Sequence, residues 1–295
     1  DRVLALAAES QAELVLANDP DADRLAAAVP DPSGRGYRML SGNEIGALLG
    51  DDAMEHAATG GKPKLVVTTV VSSTLLSRIA RDRGVACRET LTGFKWIADA
   101  ALEAERRGLA FVFGYEEALG YTVGPFVRDK DGIGAALRLA ELSRFLKKGG
   151  RTLLDRLDDL LAAHGLSHQV QWSVVLPGTE GRARIDAAMA RLRARPPQRI
   201  GASPVVRVLD AARGEERVRG ERRPSSLPRA DVLAFQSEDG ARLSVRPSGT
   251  EPKIKFYLEL VGAAKERHEL APARARLEAE GQALLSALTE ELRLT

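Results

Sequence analysis

Short apolar runs alternate with longer amphipathic stretches along most of this chain. Between Arg2 and Val29 the pattern predicts a helix, a strand at Leu14 to Ala17, an acidic loop and a strand at Leu25 to Val29. That segment is too small to bury its own faces, because a buried strand needs neighbours and covering helices. The chain is therefore expected to open inside a domain. From Gly42 onward helix and strand signals alternate. Helices are predicted from Gly42 (capped by Ser41) to about His56, at Ser72 to Arg83, at Phe94 to Arg107 and at Gly132 to Lys148. Strands are predicted at Lys64 to Val70, Val85 to Glu89 and Leu109 to Phe113. Strands separated by helices imply a largely parallel sheet covered on both faces, with ligands at the carboxyl ends of its strands. The loops after Val70, Glu89 and Phe113 are therefore the places for chemistry.

Beyond Gly149-Gly150 the pattern changes. Helices at Thr152 to Ala163 and Glu180 to Arg195 flank the alternating run Gln169 to Leu176. Strands near Val205 to Leu209, Val232 to Gln236, Leu243 to Arg246 and Lys253 to Leu260, joined by short connections, precede a last helix. Leu277, Leu284, Leu285, Leu288 and Leu292 make one core-facing stripe of that helix. The predicted fold is α/β mixed-sheet, followed by a smaller α+β C-terminal domain with an antiparallel sheet. The divisions are 1–40, 41–150 and 151–295.

Composition narrows the functional classes. The balance of 43 basic to 41 acidic residues, net +2, carries no electrostatic commitment to nucleic acid or membrane. Arg213 to Arg223 holds five arginines and three glutamates, a solvated turn by its mixed signs and lack of aromatics. No apolar run approaches a membrane span, and Asp1-Arg2-Val3-Leu4 has no signal-peptide layout. A single cysteine, Cys87, excludes an internal disulfide framework and fits a reducing cytoplasm, the expected location.

Chemistry concentrates in four loops. Asp19-Pro20-Asp21-Ala22-Asp23-Arg24 follows an apolar run, with carboxylates at alternate positions and an arginine behind them. Hard oxygens suit a divalent cation and a guanidinium suits phosphate, although the same residues also suit a turn. An EF-hand is excluded by spacing, since Arg24 falls where its glycine belongs and Pro30 where its glutamate belongs. Gly114 to Tyr121 places Glu116 and Glu117 after a buried strand, where carboxylates accept from polyol hydroxyls or favour a helix N-terminus. Arg128 and Lys130, just downstream, set two cations beside those acids. Arg246-Pro247-Ser248-Gly249-Thr250-Glu251-Pro252-Lys253 suits an anion nest or a hairpin turn. Thr92-Gly93-Phe94-Lys95 opens a helix whose N-terminus faces an anion or is merely capped.

In this order the motifs resemble the α-D-phosphohexomutase superfamily: an Asp-x-Asp-x-Asp-Arg loop, Thr-Gly-x-Lys, Glu-Glu with Arg-x-Lys-Asp-Gly behind it, then Arg-x-Ser-Gly-Thr. The resemblance spans essentially the whole chain and implies the end of the family's second domain, then its third and fourth. It implies a phosphosugar mutase moving phosphate between the 1- and 6-positions of a hexose phosphate, glucose first and mannose or pentose behind. By resemblance Asp19, Asp21 and Asp23 hold Mg²⁺, and Arg24 and Lys130 are catalytic. Thr92, Gly93, Lys95, Glu116, Glu117, Arg128 and Lys130 would contact substrate, and Arg246, Ser248, Gly249, Thr250 and Lys253 would grip phosphate. Ala118 stands where many relatives have serine. The family's Ser-His-Asn-Pro nucleophile loop is not found, since Ser167-His168 leads into Gln169-Val170. The chain is therefore expected to be a fragment, inactive alone, whose partner is a small sugar phosphate. A non-catalytic sugar-phosphate or metal-binding module is the other class, and an aspartyl phosphatase using Asp19 is disfavoured because Asp23 replaces the usual Thr or Val.

Overall fold

The computed structural model describes residues 2–249, 251–264 and 266–294. The chain forms two compact units, residues 1–164 and 165–295. The boundary expected at 150/151 thus lies one helix later. The reason is a buried ion-pair cluster: Asp51, 2 % exposed, accepts from Arg83 Nε and from Arg156 Nε, each at 2.9 Å. Arg156 belongs to a helix at Leu153–His164, whose Leu157, Leu160 and Leu161 are also buried. A carboxylate taken out of water needs both guanidinium partners, so this helix is bound to the first unit.

In the first unit, α1 (Arg2–Ser10) precedes an antiparallel sheet β1-β2-β3, with β1 at Val15–Asn18, β2 at Leu25–Pro30 and β3 at Tyr37–Leu40. Strand β3 is not visible in the hydrophobic pattern. Ser41 then caps α2 (Gly42–His56) in a reciprocal capping box with Glu44. The following elements are β4 (Lys64–Thr69), α3 (Leu75–Asp82), β5 (Ala86–Thr90), α4 (Phe94–Arg106), β6 (Ala110–Glu116), β7 (Gly120–Thr122), α5 (Gly132–Lys148) and α6 (Leu153–His164). They build a sheet of order β5-β4-β6-β7, with β4 parallel to β5 and β6. Strand β7 runs antiparallel to β6 inside a stretch that reads as loop, which makes the sheet mixed. Gly42, Gly46 and Gly50 line one face of α2 against β6, where a Cβ at Gly46 would stand 2.5 Å from the Tyr115 ring.

The second unit runs β8 (Leu166–Val175), α7 (Gly178–Ala194), β9 (Arg199–Ile200), β10 (Ser203–Asp210), β11 (Glu215–Val218), β12 (Glu221–Pro224), β13 (Leu233–Ser237), β14 (Arg242–Pro247), β15 (Lys253–Gly262) and α8 (Arg267–Glu291). Its antiparallel sheet has the order β12-β11-β10-β13-β14-β15-β8, with β9 on β10. Leu277, Leu285 and Leu292 are buried, while Leu284 and Leu288 are partly so. The arginine-rich stretch read as a turn is instead the β11–β12 hairpin. Glu216 accepts from Arg207 Nε at 2.9 Å and from Arg223 Nε at 2.5 Å. The edge strand of this hairpin, β12, is exposed throughout and carries Glu221, Arg222 and Arg223, charges that keep it solvated and unattractive to other strands. No helix among the described residues is long and apolar enough to cross a membrane.

The first unit's two sheets meet where α5 begins. A Cβ at Gly132 would stand 2.4 Å from the Arg24 carbonyl oxygen and 2.7 Å from that of Ala22. Those are backbone atoms, so the loop could accommodate a side chain only by moving away. Gly132→Ala should destabilise the protein by about 1–3 kcal/mol. Gly149→Ala, whose nearest neighbour would lie at 3.4 Å, should cost less than about 0.5 kcal/mol. Urea unfolding of both variants checks this, and equal effects would contradict the close approach.

Candidate functional site

The acidic loop is a tight reversal between β1 and β2. Ala22 N–H donates to the Asp19 carbonyl at 2.9 Å, and Ala22 takes a left-handed φ of 57°. Asn18 Nδ2 donates to the Arg24 carbonyl at 2.6 Å, and Arg24 N–H donates to Asp19 Oδ1 at 3.2 Å. The loop is stitched to the β6–β7 turn by an antiparallel bridge between Arg24 and Gly120 and by Leu25 N–H donating to the Leu119 carbonyl at 3.1 Å. Asp131 N–H donates to the Tyr121 carbonyl at 2.6 Å, bringing the start of α5 to the same place. Backbone contacts alone therefore assemble the Asp19–Arg24, Glu116–Gly120 and Lys130–Gly132 segments.

Glu116 ends β6 at the sheet's carboxyl edge and is 6 % exposed. Its Oε2 accepts from the Gly93 N–H at 3.2 Å. Gly93 holds φ at 115°, a conformation that L side chains rarely adopt, so the Thr-Gly turn can present that N–H. Burial pushes the Glu116 carboxyl above its ordinary range, against the opposing pull of the Gly93 N–H, Lys130 and Arg24. Thr92 Oγ1 is buried beside this turn with no hydrogen-bond partner among the described residues.

Lys130 Nζ lies 3.0 Å from Asp23 Oδ2, 2.9 Å from Asp129 Oδ1 and 5.7 Å from the Phe94 ring centroid. Burial opposes its charge, but hydrogen bonds to Asp129 and Asp23 prevail and raise its pKa above the ordinary lysine value. In this arrangement Lys130 is an ammonium, able to donate a proton or neutralise phosphate but not to act as a base.

Other predicted residues lie elsewhere. Arg128 makes a bidentate pair with Glu105 of α4 at 3.0 and 2.9 Å, because that carboxylate matches its fork. It does not reach Glu116 or Glu117 as expected. Lys95 is exposed, with Nζ 5.0 Å from the Trp96 ring centroid. Glu117 has partners of its own: its N–H donates to Ser72 Oγ at 3.2 Å, and its Oε2 accepts from that hydroxyl at 3.3 Å. Asp19 and Asp23 are half-buried and Asp21 is exposed. Their oxygens suit Mg²⁺ chemically; here Asp19 Oδ1 accepts from the Arg24 N–H and Asp23 Oδ2 pairs with Lys130, which leaves the second oxygen of each carboxylate for a cation. Among the described residues no three His, Cys, Asp or Glu side chains are grouped to hold a metal ion.

The second unit carries the Arg246–Lys253 stretch as the β14–β15 connection, a hairpin with Pro247 opposite Ile254. Ser248, 7 % exposed, donates its N–H to the Lys253 carbonyl at 2.8 Å and accepts at Oγ from the Glu251 N–H at 3.3 Å. Lys253 pairs with Glu251, Gly249 is exposed and Arg246 partly buried, while Thr250 lies outside the described residues. Ser167 and His168 sit on β8, bonded to Glu259 and Glu278 respectively. In the first unit, a separate cavity of about 550 Å³, lined by His56, Phe126 and Arg138 among others, contains none of the motif residues.

The β4–α3 loop, expected from its place after a buried strand to carry chemistry, holds functional residues that no motif singled out. Thr69, Ser72 and Ser73 are buried there, and Ser73 N–H donates to Asn43 Oδ1 at 2.8 Å. The available signal was the density of hydroxyls after a buried strand, at a carboxyl end where ligands gather.

The fold and sequence have counterparts among known proteins. Residues 41–164 match the alpha/beta/alpha domain III of phosphoglucomutase/phosphomannomutase, and residues 204–277 match the C-terminal domain of the same family. The chain is 40% identical over 263 residues to a Haemophilus influenzae protein named "Probable phosphomannomutase", covering 89% of this chain and 49% of that protein. It is 34% identical over 262 residues to a Staphylococcus aureus phosphoglucomutase, covering 88% of this chain and 47% of the relative. The chain thus spans about half the length of the curated relatives it matches. The fold matches that of the Paramecium phosphoglucomutase pp63/parafusin, with a TM-score of 0.66 at 19% identity over 94% of this chain and 46% of that one. With two family domains in order and relatives at this identity, the chain belongs to the α-D-phosphohexomutase superfamily.

Proposed function

We propose that this protein works as a phosphosugar mutase, transferring phosphate reversibly between the 1- and 6-positions of a hexose phosphate, glucose before mannose, through a sugar bisphosphate, with the corresponding transfer on a pentose phosphate as the alternative. The observation that carries the reading is Glu116, a buried carboxylate at the meeting of three loops, with Lys130 and Arg24 acting on it electrostatically. Such a group accepts from adjacent sugar hydroxyls while the two cations face a phosphoryl group. Arg246, Ser248, Gly249, Thr250 and Lys253 would bind the phosphate that is not transferred, reading charge more than sugar stereochemistry.

Mg²⁺ at Asp19, Asp21 and Asp23 remains part of this reading, and a cation there would share Asp23 with Lys130. Magnesium when bound neutralises charge on a transferring phosphoryl group. Ser167 and His168, held on β8 by Glu259 and Glu278, take no part in this reading of the transfer.

Calorimetric titration with glucose 1-phosphate, mannose 1-phosphate and ribose 1-phosphate tests the proposal. Glucose 1-phosphate should bind most tightly, and Glu116→Gln should weaken it by about tenfold or more, the worth of a charged hydrogen bond. Absence of saturable binding, or equal affinity in the variant, would sink the reading. Burial of Glu116 gives a second expectation. A carboxyl whose folded-state pKa is raised contributes stability below its ordinary value of 4.5 and loses it as pH rises through the folded value. Glu116→Gln should therefore be more stable than the parent at pH 7, with the gap closing as pH falls toward 4.5. Thermal melts across that range read it, and a variant less stable at pH 7 would contradict burial as the dominant influence.

A further inference from the structure

Glu116 and Glu117 are adjacent, yet their carboxylates have different partners. Glu116 accepts from Gly93, on the turn that opens α4. Glu117 Oε2 accepts from Ser72 Oγ at 3.3 Å and from Thr69 Oγ1 at 3.5 Å, both on the β4 side of the sheet. Ser72 and Thr69 are each 0 % exposed and their hydroxyl oxygens lie 2.7 Å apart, so their two protons fill two of the three contacts within this trio at a time. The Ser72 hydroxyl touches Glu117 twice, at the side chain and at the backbone N–H, 3.2 Å away. Helix α2 closes the other side. A Cβ at Gly42 would stand 2.1 Å from the Glu117 carbonyl oxygen, so that peptide is packed directly against the helix start. Asn43 on the next position accepts from the Ser73 N–H at 2.8 Å and the Tyr115 hydroxyl at 3.0 Å, tying the β4 loop to β6 just before the two glutamates.

This clamp matters because Glu116 is held weakly for a buried carboxylate. Among the described residues its carboxylate accepts one hydrogen bond, from Gly93 at 3.2 Å, and burial works against its charge. A side chain in that position keeps its aim only if the backbone beneath it cannot rotate. The peptide joining Glu116 to Glu117 is the one that the Ser72 hydroxyl grips, since its N–H is that of Glu117. We propose that Glu117 is a positioning residue, not a substrate ligand: by binding buried Ser72 and Thr69 it locks the 116–117 peptide and so aims Glu116 at Gly93 and at a bound sugar phosphate. The ligand half of this statement rests on the mutase reading; the aiming of Glu116 at Gly93 does not.

The test uses the 295-residue chain with two readouts, the hydrogen-exchange rate of the Gly93 amide by NMR and the affinity for glucose 1-phosphate by calorimetry. Ser72→Ala and Glu117→Ala should each speed Gly93 exchange and weaken affinity, each by about tenfold. The double variant should be no more than about twofold worse than the poorer single, because both substitutions break one link. Glu117→Gln, whose amide oxygen still accepts from both hydroxyls, should stay within about twofold of the parent in both readouts. Glu117→Asp keeps the charge but shortens the reach, and should behave like Glu117→Ala; on a half-buried side chain it also serves if Ser72→Ala fails to fold. Two outcomes overturn the proposal: Gly93 exchange unchanged in Glu117→Ala and Glu117→Asp, or affinity lost in Glu117→Ala but intact in folded Ser72→Ala. If the parent chain binds no glucose 1-phosphate the mutase reading fails, and Gly93 exchange still decides whether Glu117 positions Glu116.

Discussion

Backbone can rest on backbone only where no side chain intervenes, and in the first unit the acidic loop meets the start of α5 at Gly132. The carbonyls of Ala22 and Arg24 rest where its Cβ would be, so the acidic loop seats against the first turn of α5. The bridge from Arg24 to Gly120 and the bond from Leu25 N–H to the Leu119 carbonyl extend that seat to the β6–β7 turn. The acidic loop, the Glu116–Gly120 turn and Lys130 inherit their positions from those contacts. Asp131 contributes twice, capping α5 through the Gly134 N–H at 2.7 Å and donating its own N–H to the Tyr121 carbonyl. A helix start that is capped, close-packed and stitched to a strand is a rigid platform for the lysine just before it.

On that platform the charges are arranged in opposition. Glu116 is driven toward neutrality by burial and toward ionisation by Gly93, Lys130 and Arg24. Lys130 is driven toward neutrality by burial and held as an ammonium by Asp129 and Asp23. A ligand bringing hydroxyls and a phosphate would complement both groups, giving Glu116 donors and Lys130 a second anion. The same Lys130 occupies Asp23, and so the acidic loop is organised in this structure around an ammonium and a backbone N–H.

Much of the fold was legible because its cues are local. Ser41 announced α2, Gly84 ended the α3 region, and the buried runs around Val66 and Val112 marked the central strands. Strands β3 and β7 were not, since Tyr37–Leu40 and Gly120–Thr122 are too short to show a period and exist by pairing with β2 and β6. The helix at Leu153–His164 was read correctly as a helix but given to the wrong unit, because its allegiance lies in the Arg156–Asp51 contact across 105 positions. At the site, Glu116 and Gly93 could be named from motif order. The partner choices could not: Arg128 turning to Glu105, Glu117 to Ser72 and Lys130 to Asp23 are decided by which side chains the folded backbone brings within reach.

The most direct measurement is a backbone-amide NMR titration of the chain with glucose 1-phosphate. If the three stitched loops form the sugar-phosphate site, saturable shifts should be largest at Gly93, Glu116, Gly120 and Arg24, with smaller changes at Lys130 and Asp131. Saturable shifts confined to the separate cavity around His56, Phe126 and Arg138, or no saturable shift at all, would contradict it.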